Sequence, residues 1–567
     1  MFLMRIHSSL QKRRLAYLPR LPEILRSLTR LVPLFEAENH ENELPLPVVQ
    51  LFSKTIDQQL LRFVEGENKT HRPLNVGVVF SGGQASGGHN VISGLFDALK
   101  LLNPESKVFG FLNGPAGIIN NQSMEITAEI LKNFRNLGGF DLIGSGRTKI
   151  ESPDQFQAAL KAVQGLHLDG LLIIGGDDSN TNAAFLAEYF LAKGCKTCVV
   201  GIPKTIDGDL KNESIEVSFG FDTACKTFSQ TIGSILTDCL SAKKYYFFIK
   251  LMGRSASHIT LECALQTHPN LTFIGEEIAA QQKTLKDIVR QITDMICLRA
   301  EKKKNYGVIL IPEGLIEFIP EVKTLIQELN TLLASSLPHL KEIEARPKAS
   351  DKIEYIIKKL SIPSQECFSL LTQDIQLQLL MGRDPHGNVQ VAKIETERLL
   401  IALVSQALAQ RKKTGTYVGN FSAQPLFYGY EGRSCLPSNF DSQYCYALGH
   451  VAALLVNAKL TGYMSCVTDL SLPVEQWGIG ATPLIKMMGM EERNGELKPV
   501  IQKSLVNLQG KPFAIFSQER DKWILEDLYC DPGPIQFFGA RDETDQIPLT
   551  LEYEYSRHTH LSFSHTS

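Results

Sequence analysis

The sequence predicts an α/β protein built on parallel β-sheets, and three observations carry that reading. Short apolar runs of strand length recur from Val76 onward, a Gly-rich or polar loop follows each, and helical periodicity follows the loop. Successive βαβ units read in this way. A chain of 567 residues, 43% hydrophobic and 21% charged, suits several domains or one large fold with insertions. Disorder and collagen are excluded. Lys and Arg (58) nearly balance Asp and Glu (61), a formal net charge of -3. No global basic field is present, so neither nucleic acid nor a membrane surface is an expected partner. No apolar run approaches the roughly 18 to 20 residues that cross a bilayer, and Met1 to Met4 is too short for a signal-peptide core. The eleven cysteines, an odd number spread from Cys195 to Cys530, read as reduced thiols. A cytoplasmic location is expected.

Taken in order, residues 1–70 read as an N-terminal arm. Residues 1–22 carry Arg5, Lys12, Arg13, Arg14 and Arg20 without an acid, a bias shared with transit peptides, but Pro19 and Pro22 interrupt a long amphipathic helix. Residues 71–240 form a first lobe. Its strands are Val76 to Phe80, one ending at Phe111, Gly170 to Ile174, and Cys198 to Ile202. Helices are expected from Asn90 to about Leu102 and from after Ser179 to Gly194. Residues 241–460 form a second lobe, with strands Tyr246 to Leu251 and Gly307 to Ile311. Val322, Leu325, Ile326, Leu329, Leu332 and Leu333 then keep helical spacing and open a helical insertion over about 320–410. Residues 461–567 are expected to pack on this core. No compact repeat is visible.

Polar residues sit just past the C-terminal ends of the strands, the edge at which open α/β sheets bind ligands. Ser81 to Gly88 lets backbone N–H groups approach an oxyanion, although alone it reads equally as a tight βα turn. It has neither dinucleotide nor P-loop spacing. Gly175-Gly176-Asp177-Asp178 puts adjacent carboxylates where a phosphate would lie, which makes sense when Mg²⁺ mediates the contact; the bland alternative is helix capping. Lys204 can offset charge on a transferring phosphoryl group, and Asp207 or Asp209 can accept a proton. A solvated Lys-Asp loop is the alternative there. Phosphoryl transfer needs positioning and charge neutralisation, and these residues supply both together.

Gly82-Gly83, Gly144-Ser145-Gly146-Arg147, Gly175 to Ser179, Pro203 to Asp209, Met252-Gly253-Arg254, Pro312-Glu313-Gly314 and Tyr430-Glu431-Gly432-Arg433 form an ordered set. That set resembles the phosphofructokinases, and most of all their long pyrophosphate-dependent type. The resemblance runs from about Leu10 to Gln536. It implies two Rossmann-like parallel-sheet lobes of the phosphofructokinase fold, with the helical insertion and terminal extensions. The first lobe would take the phosphoryl donor and Mg²⁺, the second fructose 6-phosphate. The implied reaction is reversible transfer from pyrophosphate to the sugar 1-hydroxyl.

By that resemblance, Gly82 lies beside the donor phosphates, Arg147 is the donor-side arginine, and Asp177 is the metal carboxylate. Asp207 is the base. Thr205, Ile206, Asp207, Met252, Gly253, Arg254, Glu313, Tyr430, Glu431, Gly432 and Arg433 match fructose 6-phosphate contacts, Tyr430 and Arg433 at the 6-phosphate. Lys244 and Tyr245 fall, by spacing, where the family reaches into a neighbouring subunit's sugar site, so a homo-oligomer, a dimer or larger, is implied. ATP-using members carry glycine in place of Asp178 and usually of Lys204. A carboxylate at 178 would repel an α-phosphate, and Lys204 would replace contacts a nucleotide supplies. The intact Lys204 to Asp209 segment argues for a catalytic chain over a regulatory subunit or sugar-phosphate sensor. ATP use is the runner-up reading. A nicotinamide-dependent oxidoreductase shares the doubly wound pattern, but the missing GxGxxG disfavours it.

Three further features invite a site but read as structure. Cys195-Lys196-Thr197-Cys198 has redox or zinc spacing without a second motif, and is expected to pack at a strand start. His386, within Arg383 to Asn388, is assigned a structural or interface role. Trp477 and Trp523 are assigned to packing.

Overall fold

The computed structural model describes residues 6–36, 44–333, 338–381, 389–390, 393–493 and 496–555. The chain divides into two compact units. The first holds the described parts of residues 1–227, 430–504 and 535–567, the second those of residues 228–429 and 505–534. Residues 430–460 group with the first unit, and the last hundred residues are shared out between both.

In chain order the strands are β1 (Leu31–Phe35), β2 (Leu61–Glu65), β3 (Asn75–Ser81), β4 (Lys107–Phe111), β5 (Ser123–Glu125) and β6 (Ser145–Gly146). Next come β7 (Gly170–Gly175), β8 (Cys198–Pro203), β9 (Tyr246–Leu251), β10 (Leu271–Thr272) and β11 (Gly307–Pro312). The last are β12 (Ala423–Tyr428), β13 (Tyr463–Thr468), β14 (Gly478–Pro483), β15 (Met488–Arg493) and β16 (Glu496–Ile501).

The first unit is built on a ten-stranded sheet in the order β1-β2-β14-β13-β8-β7-β3-β4-β5, with β6 added to β3. Its centre, from β13 through β8, β7 and β3 to β4, is parallel. β7 and β8 bury every residue, and β3 all but its first, because both sheet faces are covered; they therefore read as unbroken apolar runs. The stretch read as an arm contributes two of the strands. β1 pairs antiparallel with β2, and β2 with β14.

A short helix, Ser9–Leu15, precedes them and starts at a capping box between Ser8 and Gln11. Its Arg14 is fully buried: the guanidinium donates to Asn439 Oδ1 (2.7 Å), Ser442 Oγ (2.8 Å) and Pro437 O (3.1 Å). It also lies over the rings of Tyr17 and Phe537. Burial pushes its pKa down to about 10. Some of the basic bias of the N-terminus is thus a structural clamp.

The helices Gly88–Leu102 and Asn439–Asn457 cross at two glycines. A Cβ on Gly94 would lie 2.1 Å from Tyr446 O, and one on Gly449 would lie 2.2 Å from Val91 O. Only bare backbone permits that approach.

The second unit carries a four-stranded sheet, β10-β11-β9-β12, parallel throughout. Helices Pro320–Leu332, Pro338–Glu344, Ala349–Ile357, Ile362–Leu370, Gln373–Met381 and Thr396–Lys413 make up the insertion. Lys250 on β9 holds it: its buried ammonium donates to Ile394 O (2.9 Å) and lies 3.2 Å from Glu397 Oε2. Breaking such a buried pair strands one charge, so the contact fixes register between sheet and insertion.

Cys198 begins β8, buried, with its thiol pushed up to about 12, and Cys195 points to Thr197, so the pair packs as expected. None of the eleven cysteines, all among the described residues, forms a disulfide. Trp477 and Trp523 are buried. His386 lies outside the described residues. Among the described residues no helix is long and apolar enough to cross a membrane.

His450, on the helix Asn439–Asn457, is buried, and its Nδ1 is 2.8 Å from Tyr446 O. Burial lowers its pKa to about 4 from an ordinary value near 6.5. Protonation is therefore costlier in the folded chain than in the unfolded one. Its contribution to stability is fully present above pH ~6.5 and is lost as pH falls through about 4, at most about 3 kcal/mol by linkage. In His450→Gln, stability between pH 7 and 4 is expected to vary less steeply than in the unsubstituted protein, measured by denaturant titration at each pH. Parallel curves would remove His450 from the acid sensitivity.

Candidate active site

Three loops of the first unit converge beyond the C-terminal ends of β3, β7 and β8. β6 extends β3 by pairing Ser145 with Phe80 and Gly146 with Ser81. Gly82 N–H then donates to Gly146 O (2.9 Å), and Ser145 Oγ donates to Gly82 O (2.7 Å). Gly82 has φ +88°, a conformation that favours glycine, and a Cβ there would sit 3.6 Å from Lys204 Nζ. The missing side chain leaves the space above the ammonium open. Ser179 Oγ donates to Ser81 Oγ (2.8 Å) and Lys204 N–H to Gly175 O (3.0 Å), tying the second and third loops to the first.

The helix after β7 starts earlier than the sequence suggests. It spans Asp177–Ala192 with Gly176 as N-cap, so Asp177 and Asp178 stand in its first turn, where the helix dipole favours anions. Their neighbours differ. Asp177 Oδ2 is buried, accepts no hydrogen bond, and lies 3.5 Å from Lys503 Nζ. Asp178 is half-exposed, with Oδ1 3.5 Å from Lys149 Nζ.

In the third loop Lys204 is buried, and its pKa is pushed down to about 8. Burial is the main cause and Arg433 adds to it, while Asp207, Asp177 and Asp209 pull the other way. Asp209 is also buried, and its carboxyl is pushed up to about 7 by burial and then by Asp207 and Asp177, against Lys503. Asp207 remains half-buried, its N–H donating to Thr205 Oγ1 (3.1 Å). Ser218 Oγ donates to Thr205 O (3.0 Å), and Ile206 is buried.

Tyr430–Gly432 forms a single 3₁₀ turn with Tyr430 exposed. Arg433 lies over the Tyr430 ring, 5.3 Å from its centroid. Its Nη1 is 2.8 Å from the place a Gly83 Cβ would take, so it reaches the first glycine loop. Arg147, just past β6, is exposed.

In the second unit, the loops after β9 and β11 lock together. Gly253 N–H donates to Glu313 Oε2 (3.0 Å), Glu313 N–H to Leu251 O (2.8 Å), and Met252 N–H to Tyr428 O (2.9 Å). A Cβ on Gly314 would lie 1.9 Å from Arg254 O. Met252 and Glu313 are buried and Arg254 is exposed. Lys244 is exposed over the ring of half-buried Tyr245, 4.9 Å from its centroid.

The structure therefore brings Gly82, Asp177, Asp178, Lys204, Asp207 and Arg433 into one neighbourhood of the first unit, although the sequence puts Arg433 in the second lobe. Sequence reasoning missed Lys149, which pairs with Asp178, and Lys503, which pairs with Asp177. Lys149 stands two residues after Arg147 and was within reach. Lys503 carries no motif.

This arrangement is a candidate phosphoryl-transfer site at the edge of a parallel sheet, and comparison with known proteins shows the class of protein that carries it. Residues 75–354 match the family model described as Phosphofructokinase. The chain is 49% identical over 572 residues to a pyrophosphate–fructose 6-phosphate 1-phosphotransferase of Treponema pallidum, covering 99% of each chain. It is 50% identical over 551 residues to subunit beta 1 of the Arabidopsis thaliana protein so named, covering 96% of this chain and 94% of that one. A pyrophosphate-dependent phosphofructokinase from Marinobacter aquaeolei shares the fold, with TM-score 0.51 and 15% identity over 80% of this chain and 93% of that one. The chain belongs to the phosphofructokinase family.

The burial of Lys204 is open to direct measurement. Its ammonium is expected to titrate near pH 8, well below an ordinary lysine, in side-chain NMR assigned through Lys204→Arg. A midpoint at the ordinary value near 10.5 would mean that water reaches the group.

Proposed function

We propose that this chain transfers a phosphoryl group reversibly from pyrophosphate to the 1-hydroxyl of fructose 6-phosphate, giving fructose 1,6-bisphosphate and phosphate. The observation that carries the reading is the buried Lys204 ammonium beneath Gly82, beside a helix that opens on Asp177 and Asp178. It accompanies near full-length identity to proteins named for this reaction.

Asp177 is the residue that would hold Mg²⁺. Its buried Oδ2 lacks a hydrogen bond, and among the described residues no group of three His, Cys, Asp or Glu could hold a metal ion. One carboxylate completed by water and phosphate oxygens suits Mg²⁺, which when bound neutralises phosphate charge. The remaining roles belong to side chains. Lys204 offsets charge on the phosphoryl group in flight, and Gly82 and Arg147 face the donor. Asp207 accepts the proton of the 1-hydroxyl as its oxygen bonds to phosphorus and the bridging P–O bond of pyrophosphate breaks. Asp178 stands where the α-phosphate of ATP would lie and repels it.

Thr205, Ile206, Tyr430, Glu431, Gly432 and Arg433 are the proposed sugar-phosphate contacts of the first unit, and Met252, Gly253, Arg254 and Glu313 those of the second. Lys244 and Tyr245 are proposed to serve a neighbouring copy in a cytoplasmic homo-oligomer.

A coupled assay with fructose 6-phosphate, comparing pyrophosphate with ATP at equal Mg²⁺, tests the reading; turnover with ATP alone would refute it. Asp207→Ser is expected to lower turnover by about 10² to 10⁴ with a smaller effect on pyrophosphate affinity. Near-normal turnover would move the base to Asp209 or to water. Asp178→Gly is expected to reduce pyrophosphate turnover while making ATP measurably competent. Lys204→Gly should damage pyrophosphate turnover without admitting ATP, and the double replacement should shift donor preference most, without strict additivity. No gain with ATP in either Asp178 variant would place donor choice elsewhere.

A further inference from the structure

Lys503 lies two residues past β16, and the backbone on both sides of it is fastened to the site. Ile501 N–H donates to Thr181 Oγ1 (2.9 Å) on the helix that opens with Asp177. Ser504 N–H donates to Asp209 O (2.7 Å), on the loop that opens with Lys204. Between these anchors the Lys503 ammonium sits 3.5 Å from Asp177 Oδ2, its side chain 31% exposed and so within reach of solutes. That oxygen is buried and accepts no hydrogen bond, so the cation is held there by charge rather than by a directed bond. Lys503 also faces Asp209, whose carboxyl it opposes in rising. The neighbourhood holds the carboxylates of Asp177, Asp207 and Asp209 against the cations of Lys204, Arg433 and Lys503. Adding a polyanion displaces that balance, and Lys503 is a partly exposed cation beside the donor carboxylate.

We propose that Lys503 is a donor-side phosphate ligand: it neutralises Asp177 when the site is empty and transfers its contact to a pyrophosphate oxygen when the donor enters. This rests on the reading of pyrophosphate as donor. A cation at 3.5 Å from the metal carboxylate is repelled when a divalent cation arrives, and the oxygens of the incoming phosphates are the nearest new anions. A lysine stem is flexible and this side chain is partly exposed, as the exchange requires. The C-terminal hairpin thereby becomes part of donor recognition.

Steady-state kinetics and calorimetry on the full chain test this with Lys503→Gln and Lys503→Arg. Lys503→Gln is expected to raise the Michaelis constant for pyrophosphate, and for phosphate in reverse, by about 10- to 100-fold, the range for losing a hydrogen bond to a charged group. The constant for fructose 6-phosphate should change little, and Lys503→Arg should recover some of the loss. Isothermal calorimetry with pyrophosphate and Mg²⁺, in the absence of fructose 6-phosphate, should show the same loss of affinity without turnover. Unchanged pyrophosphate constants in an active Lys503→Gln protein, or equal weakening of both substrates, would overturn the proposal. Should the unsubstituted protein fail to turn pyrophosphate over, the donor reading falls; the calorimetric comparison still decides Lys503, and equal pyrophosphate affinity in both proteins refutes its role.

Discussion

The Lys204 ammonium is buried beneath Gly82, with Asp207, Asp177 and Asp209 around it, and the loops of the first unit are arranged to keep it there. A buried cation is tolerated only when nearby groups replace its hydration. Loops from β3, β7 and β8 meet for that reason, joined by Ser179 to Ser81 and by Lys204 N–H to Gly175 O. Parallel strands make the meeting possible, since their C-terminal ends lie along one edge. The carboxylates do not fully compensate, as the lowered pKa of Lys204 shows. The anion proposed to bind above Gly82 would complete the compensation, coupling binding to relief of that deficit.

Asp177 and Asp178 illustrate how two identical side chains acquire different work. Successive helical residues point about 100° apart, so one carboxylate turns inward to Lys503 and the other outward to Lys149. Both stand at the helix N-terminus, whose dipole favours anions. The same helix end could have bound phosphate directly through its N–H groups. Two carboxylates in its first turn oppose a bare phosphate and favour one that is accompanied by a cation.

Much of this was legible in the sequence, for physical reasons. The central strands are buried on both faces and closed by glycine or proline, so their ends could be read to within a residue or two. The candidate site loops stood out because polar and glycine residues recur just past successive strand ends, although each loop alone also reads as a turn, a helix cap or a solvated segment. β1, the edge strand, and β2 beside it were missed because they are partly exposed and set in a Pro- and Arg-rich stretch. Lys503 was missed because a single lysine between apolar and polar residues has no pattern. Only the hairpin before it and the bond from Ser504 to Asp209 bring it to the donor loops.

The motif residues of the second unit add a constraint on how any of these roles can be measured. Glu313 reads as a ligand contact, yet it is buried and one of its oxygens already receives the Gly253 N–H. Gly314 approaches Arg254 O more closely than any side chain would allow. These residues shape the loop as well as presenting groups to a ligand, so a lost activity after substitution is ambiguous between chemistry and local collapse. Arg433 shares the feature in the first unit, packed on Tyr430 and against Gly83. A role for such residues follows only when one substrate's binding changes and the other's does not, because a collapsed loop has no reason to discriminate between the two.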